Sequence, residues 1–273
     1  MMRFSNIFRP KVITLANGKM IVQPKSPTLL IVAAVGLATY LAIDLTGFNM
    51  QTLMRRGNQF FVLLDNMFPP NTNYWNSVWQ PLIDTIKMSL LGTFIGAMLS
   101  IPFAIIASTN ITKNKGIIVL SRFIFSFIRT IPTLVIALMA TFILGFGTSA
   151  GTVAITLFTF GFVGKLLYEQ IETVDMGAYE AVEALGGKKT HAFIVAILPQ
   201  IMPRFLSNSL FCFEGNVRHA AILGMVGAGG IGLIFNTQLA FRNYANVGMI
   251  LVMMFLTVFV IEMISRFIRS KLV

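Results

Sequence analysis

Six predominantly apolar stretches divide the chain, at residues 28–46, 83–107, 117–145, 151–168, 205–226 and 247–268. An α-helix rises about 1.5 Å per residue, so about 20 apolar residues cross a hydrocarbon core of about 30 Å. The pattern therefore predicts six membrane-spanning helices. The third stretch holds Arg122, Arg129 and Pro132, and its first part is expected to run as an interfacial or tilted segment into the span proper. The longest irregular stretch, 47–82, carries Pro69, Pro70 and Pro81 and is expected to be an outer loop, helical in part. Between the fourth and fifth stretches the pattern changes. Ala178, Ala181, Val182 and Leu185 recur at i, i+3, i+4 and i+7 while Asp175, Glu180 and Glu183 fall elsewhere, which predicts an amphipathic helix over 174–185. Gly186 and Gly187 are expected to end it. A second short helix is expected over 188–198, with Ile194, Ile197 and Leu198 as its stripe and Pro199 as its stop.

Composition agrees with the pattern. With 56% hydrophobic and only 11% charged residues, the chain lies far outside the soluble average, and no polar block is long enough for a separate catalytic domain. One integral membrane domain follows. The net charge of +11 does not call for a nucleic-acid partner, because basic residues at the ends of apolar spans are what membrane topology demands. Arg3, Arg9, Lys11, Lys19 and Lys25 precede the first span, Lys113 and Lys115 follow the second, Lys188, Lys189 and Arg204 follow the fourth, and Arg266, Arg269 and Lys271 close the chain. The opposite loops are poorer, with Arg55, Arg56 and Arg242, so both termini are expected in the cytoplasm. Tyr74, Trp75 and Trp79 are placed to anchor at the outer interface. The polar region before the first span is long for a signal peptide, and that span is expected to stay attached. The organisation expected is a cytoplasmic segment over 1–27, a first transmembrane helix with its outer loop over 28–82, and a core transmembrane domain over 83–273 with a cytoplasmic loop over about 169–204. The lone Cys212 excludes an intrachain disulfide, and His191 is too isolated for a metal site.

The loop at 169–204 is long for a connector. Periodicity leaves open a hairpin lying on the inner leaflet. Five acidic residues between Glu169 and Glu183 favour a groove on another protein instead, since an anionic leaflet repels them. Glu180, Ala181, Gly186, Leu198 and Pro199 resemble the "EAA" loop of ABC importer permeases, with Val182 standing for the second alanine and Ala196 for the isoleucine. Within that family the chain from about Ile83 onward is similar to phosphonate-importer permeases, carried by RTIPTLVIAL (129–138), GKLLYEQIE (164–172) and EGNVRHAAILGMVGAGGIG (214–232). The resemblance implies an all-α polytopic membrane protein with the type I ABC importer permease fold. It implies a second permease copy or similar permease, two cytoplasmic ABC ATPase subunits, an external solute-binding protein, and transport of a phosphonate or allied phosphorus oxyanion. Glu180, Ala181, Gly186, Leu198 and Pro199 would couple to the ATPases. ATP and Mg would be used by those subunits, and this chain would bind no cofactor and hold no catalytic residue. A permease for another solute such as methionine, or an ATP-independent secondary transporter, is the alternative.

Two patterns are decoys. GGKKT (186–190) lacks the rest of a phosphate-binding loop. GAGGIG (227–232) fits the dinucleotide fingerprint but sits between apolar spans rather than in a βαβ unit. Gly227, Gly229, Gly230 and Gly232 are read instead as allowing close backbone approach or a helix break near the outer side, a candidate gate or hinge. Charges inside spans must find partners or a wet cavity. Glu214 and Arg218, four apart, are placed to pair, and Arg122 and Arg129 to snorkel to the inner interface. A second reading makes Arg129, Glu214, Arg218 and His219 a candidate translocation path that offers an oxyanion a weak attraction.

Overall fold

The computed structural model describes residues 12–14, 18, 20–22 and 28–272 and divides into two units, Met1–Val62 and Leu63–Val273. Arg3, Arg9, Lys11, Lys19 and Lys25, which orient the N-terminus in the sequence, lie outside the described residues.

In the first unit, β1 (Val12–Thr14) pairs antiparallel with β2 (Met20–Val22), Val12 opposite Val22 and Thr14 opposite Met20. This short hairpin is the one addition to helices among the described residues, and Gly18 between its strands takes φ +77°. α1 (Thr28–Leu45) is apolar on every side, as befits a helix surrounded by lipid or protein. α2 (Met50–Met67) opens under Asn49, whose Oδ1 accepts from the amides of Gln51 and Thr52. The two helices are bent by 67°. Much of 47–82 is thus helical, where the sequence reading has mainly loop.

In the second unit, α3 (Trp75–Ala107) starts eight residues before the expected span. Pro81 and Pro102 lie inside it, so Pro81 is not loop. Trp75 and Trp79 stack at 5.8 Å near its start. α4 (Lys115–Thr130) is capped by Asn114, whose Oδ1 accepts from Gly116 N at 3.0 Å. It buries one face, Ile118, Ser121 and Phe125. It ends because Ile131 precedes Pro132 and is pushed to extended backbone at φ −81°. α5 (Thr133–Leu144) follows at 89°, so the third apolar stretch is a broken pair. α6 (Thr148–Glu172) is a full-length span. The insert after α6 holds α7 (Gly177–Ala184) and α8 (Lys189–Ala192), then one wide π-turn over Phe193–Ile197 that runs into α9 (Leu198–Leu223). After a short turn at Gly224–Val226 come α10 (Ile231–Ala240) and α11 (Tyr244–Leu272). Among the described residues four helices are individually long and apolar enough to cross a membrane, and up to six spans result if each bent pair counts as one. The fold is that of an all-helical polytopic membrane protein.

α3 and α6 share the longest interface, and small residues set its closeness. A β-carbon on Gly92 would stand 2.8 Å from Ile155 Cγ2, and one on Gly96 would stand 2.5 Å from the Thr156 carbonyl oxygen. Backbone cannot yield as a side-chain tip does. Gly96→Leu is therefore expected to cost about 3 kcal/mol through overpacking. A fall in the thermal midpoint of the detergent-purified chain checks this, and an unchanged midpoint would show that α3 and α6 can separate without penalty.

Candidate functional site

The insert between α6 and α9 is built from its base. Glu172 ends α6, and its carboxylate accepts from Thr109 N at 2.7 Å, from Thr109 Oγ1 at 2.5 Å and from the Arg122 guanidinium. Arg122 Nε also donates to the Ala107 carbonyl at 3.0 Å, and the guanidinium lies 4.8 Å from the centre of the Tyr168 ring. Arg122 is thus fixed in an ion pair. Asn110 Nδ2 donates to the Ile171 carbonyl at 2.6 Å, and Gln200 Nε2 donates to the Asp175 carbonyl at 3.2 Å. These bonds tie the ends of α3, α4 and α6 to both feet of the insert.

α7 begins in a side-chain turn, Asp175 Oδ1 accepting from Gly177 N at 2.9 Å. It ends in a Schellman arrangement, with Gly187 N on the Val182 carbonyl at 3.0 Å and Gly186 N on the Glu183 carbonyl at 2.9 Å. Gly186 takes φ +84°, and a β-carbon on Gly187 would stand 2.7 Å from Val182 Cγ1, so each glycine is needed for a different reason. The face turned inward is Met176, Tyr179 and Val182, not the stripe read from the sequence. Tyr179 is 6% exposed, and burial, with Glu183 adding to it, pushes its phenol up. Ala178, Ala181 and Leu185 face outward with Glu180, and Leu185 is 89% exposed. Only Val182 of the expected stripe turns inward, because Tyr179 offers more apolar area than any alanine.

The second helix also differs from the reading. Ala192, Ala196 and Ile197 are buried and Ile194 is exposed. Pro199 does not stop the helix. It stands in the first turn of α9, inside a run that continues from the π-turn, whose wider winding gives its ring room.

Higher in the bundle, Glu214 is 5% exposed and lies between two arginines: Arg218 Nη2 at 2.7 Å on Oε1 and Arg269 Nη2 at 3.3 Å on Oε2. The i, i+4 pair is as the spacing indicates, while Arg269, read only as a topology marker, joins α11 to α9. Two residues on, Asn216 Nδ2 donates to Thr93 Oγ1 of α3 at 2.8 Å and to Thr159 Oγ1 of α6 at 2.9 Å. Thr159 lies about 20 Å along α6 from Glu172, so this three-helix node is deep in the bundle. Spacing gave no warning of it, because its partners come from three helices far apart in sequence. Arg129 is exposed in the last turn of α4, where a cation suits the helix C-terminus. A β-carbon on Gly161 would stand 3.0 Å from Arg129 Cγ, and the His219 ring meets Phe158 edge-on at 5.8 Å. Arg129 and His219 are therefore aligned with positions one turn apart on α6.

The glycine-rich stretch follows the C-terminal end of α9. Gly227, Gly229 and Gly230 take φ of +81°, +77° and +70°. Gly147 N donates to the Gly227 carbonyl at 2.9 Å, and Thr85 Oγ1 accepts from Ile231 N at 2.7 Å to cap α10. A β-carbon on Gly229 would stand 2.6 Å from Thr148 N, and Gly232 lies against the Ala221 carbonyl. The loop is a close backbone junction between α5–α6, α3 and α9.

Residues 100–272 match the family described as binding-protein-dependent transport system inner membrane component. The chain belongs to this family. Members of this family are inner membrane components of transport systems that depend on a binding protein. Among its relatives, the phosphate-import permease of Mycolicibacterium smegmatis is 34% identical over 212 residues, 77% of this chain but only 40% of that protein. The phosphite transport system permease of Stutzerimonas stutzeri is 32% identical over 219 residues, 80% of each chain. An inward-facing structure of the MetNI methionine ABC transporter shares the fold at a TM-score of 0.66 and 20% identity, over 74% of this chain and 99% of that one.

Removing the charge of Glu214 strands Arg269 beside apolar side chains. Glu214→Gln is expected to lower stability by about 3 kcal/mol, whereas Glu214→Leu with Arg269→Met recovers most of the loss. Thermal midpoints of the three purified chains check this; equal loss in the single and double variants would show that the pair itself contributes little.

Proposed function

We propose that this chain is the membrane-spanning subunit through which an ATP-driven importer passes a phosphorus oxyanion, such as a phosphonate, phosphite or phosphate, into the cytoplasm. The observation that carries the solute class is the identity above 30% to permeases named for phosphate and phosphite. The methionine transporter, at 20% identity, speaks for the fold alone.

In this reading two copies, or this chain and a similar permease, stand on two cytoplasmic ATPase subunits and receive solute from the external binding protein. Both termini are cytoplasmic. The outward face of α7, with Glu180, Ala181 and Leu185, seats in a groove of the ATPase, and Gly186, Leu198 and Pro199 hold the elbow that presents it. Its exposure in the isolated chain supports this, since apolar side chains at the tip of a helical insert gain by being covered. ATP and Mg are used by the ATPase subunits, and this chain holds no cofactor. Arg129, Glu214, Arg218 and His219 line the path. Arg218, 49% exposed and half-neutralised by Glu214, offers an anion attraction without tight retention. Gly227, Gly229, Gly230 and Gly232 form the gate at the outer end, where a β-carbon on Gly229 or Gly232 would meet backbone and one on Gly227 or Gly230 would meet the side chains of Phe146 and Thr85.

Proteoliposomes containing this chain with its ATPase and binding protein test the reading. ATP-dependent uptake of methylphosphonate, phosphite or phosphate is expected, and Glu180→Lys is expected to abolish it while leaving the chain folded. Uptake of methionine alone would overturn the solute, and uptake without ATP would overturn the mechanism. In the same assay Gly229→Leu is expected to abolish transport while the ATPase still copurifies. Wild-type rates in that variant would remove the gate.

A further inference from the structure

A groove of about 360 Å³ lies between α3, α9 and α11, a size that accommodates a substantial apolar ligand. Its walls are almost wholly apolar, and Leu90, Phe94, Met98, Leu206 and Ile264 leave it open on the outer surface of the bundle. Three hydroxyls reach it. Thr93 donates to the Ser89 carbonyl and Ser209 to the Phe205 carbonyl. Ser265 is buried, and its Oγ has no hydrogen-bond partner.

One turn further along the same face of α11 stands Arg269, which is 26% exposed. Its Nη2 holds Glu214, while its Nε–H is buried without an acceptor. Glu214 supplies one negative charge against the two guanidinium groups of Arg218 and Arg269, so the cluster keeps one positive charge in excess. An unpaired buried hydroxyl in the wall of an apolar groove and an unpaired N–H one turn beyond it, beside an excess positive charge, call for an occupant with a long apolar part and anionic acceptor oxygens. We propose that this groove holds one anionic phospholipid of the bilayer, an acyl chain along its walls and its ester or phosphate oxygens on Ser265 and Arg269. An apolar helix laid in the same place, from this chain or a second copy, would cover the walls and leave both donors unpaired. A lipid supplies both halves, as basic pockets between transmembrane helices do for anionic headgroups.

Native mass spectrometry of the full-length chain, delipidated and then offered phosphatidylglycerol or phosphatidylethanolamine, tests this. One phosphatidylglycerol per chain is expected to be retained, with about a fivefold preference over phosphatidylethanolamine. Arg269→Gln is expected to abolish the preference while a lipid still binds. Leu210→Trp, which fills the groove, is expected to lose both lipids at an unchanged elution volume; should that variant fail to fold, Ile264→Trp at the rim replaces it. Equal retention of the two lipids by the wild type, or unchanged retention in the filled groove, would overturn the proposal. So would self-cross-linking in membranes of a chain carrying Ile264→Cys and Cys212→Ser, because a second copy would then occupy the groove.

Discussion

A carboxylate held between two guanidinium groups is the constraint around which the upper bundle is organised. Glu214 is almost fully buried, and an unpaired charge at such a place would cost several kcal/mol. Arg218 supplies one partner from its own helix and Arg269 supplies the other from α11, so the charge requirement also fixes α9 against α11. Asn216 extends the same demand to α3 and α6 through Thr93 and Thr159. At the lower end Arg122 and Glu172 repeat the device, with Thr109 and Tyr168 completing the shell. Polar side chains thus locate helices that share an apolar surroundings and gain little from hydrophobic burial against one another.

Closeness between helices is governed by the other extreme of side-chain size. Gly92 and Gly96 admit α6, Gly164 receives the ring of Phe125, and Gly151 meets the carbonyl of Ala228. The glycine-rich junction at 227–232 combines small size with positive φ, so it has two independent reasons to exclude other residues. Large apolar residues concentrate elsewhere, with Phe125, Phe160, Tyr168 and Ile197 in the cluster that joins the insert to the bundle.

Much of this was legible in the sequence because a bilayer imposes length. The six apolar stretches each reappear as a helix or a bent pair, and the Arg122–Pro132 segment announced its own irregularity. The glycine elbow was legible too, since Gly186 needs a left-handed backbone. What misled was local pattern without tertiary context. Pro199 resembles a stop, yet the wider π-turn before it accommodates its ring within a continuing helix. Ala178, Ala181 and Leu185 were grouped with Val182 as one stripe, yet Tyr179 outweighed them for the inward position. The three-residue strands of the N-terminal hairpin are too short for their alternation to stand out in the sequence. Arg269, Asn216 and Glu172 were hidden for a different reason: their partners lie 55, 123 and 50 residues away.

The absence of a stop at Pro199 has a mechanical consequence. From Phe193 through the π-turn to Leu223 the backbone is one unbroken column, about 45 Å long, that begins in the insert and ends at the glycine junction. Asn216 and Glu214 grip it about three quarters of the way up. A column held there would act as a lever with its fulcrum at the polar node and a longer arm toward the insert, so a displacement applied below would arrive at the glycines reversed in direction and reduced to about a third. The short arm thereby favours a small, forceful motion of backbone against backbone over a wide one.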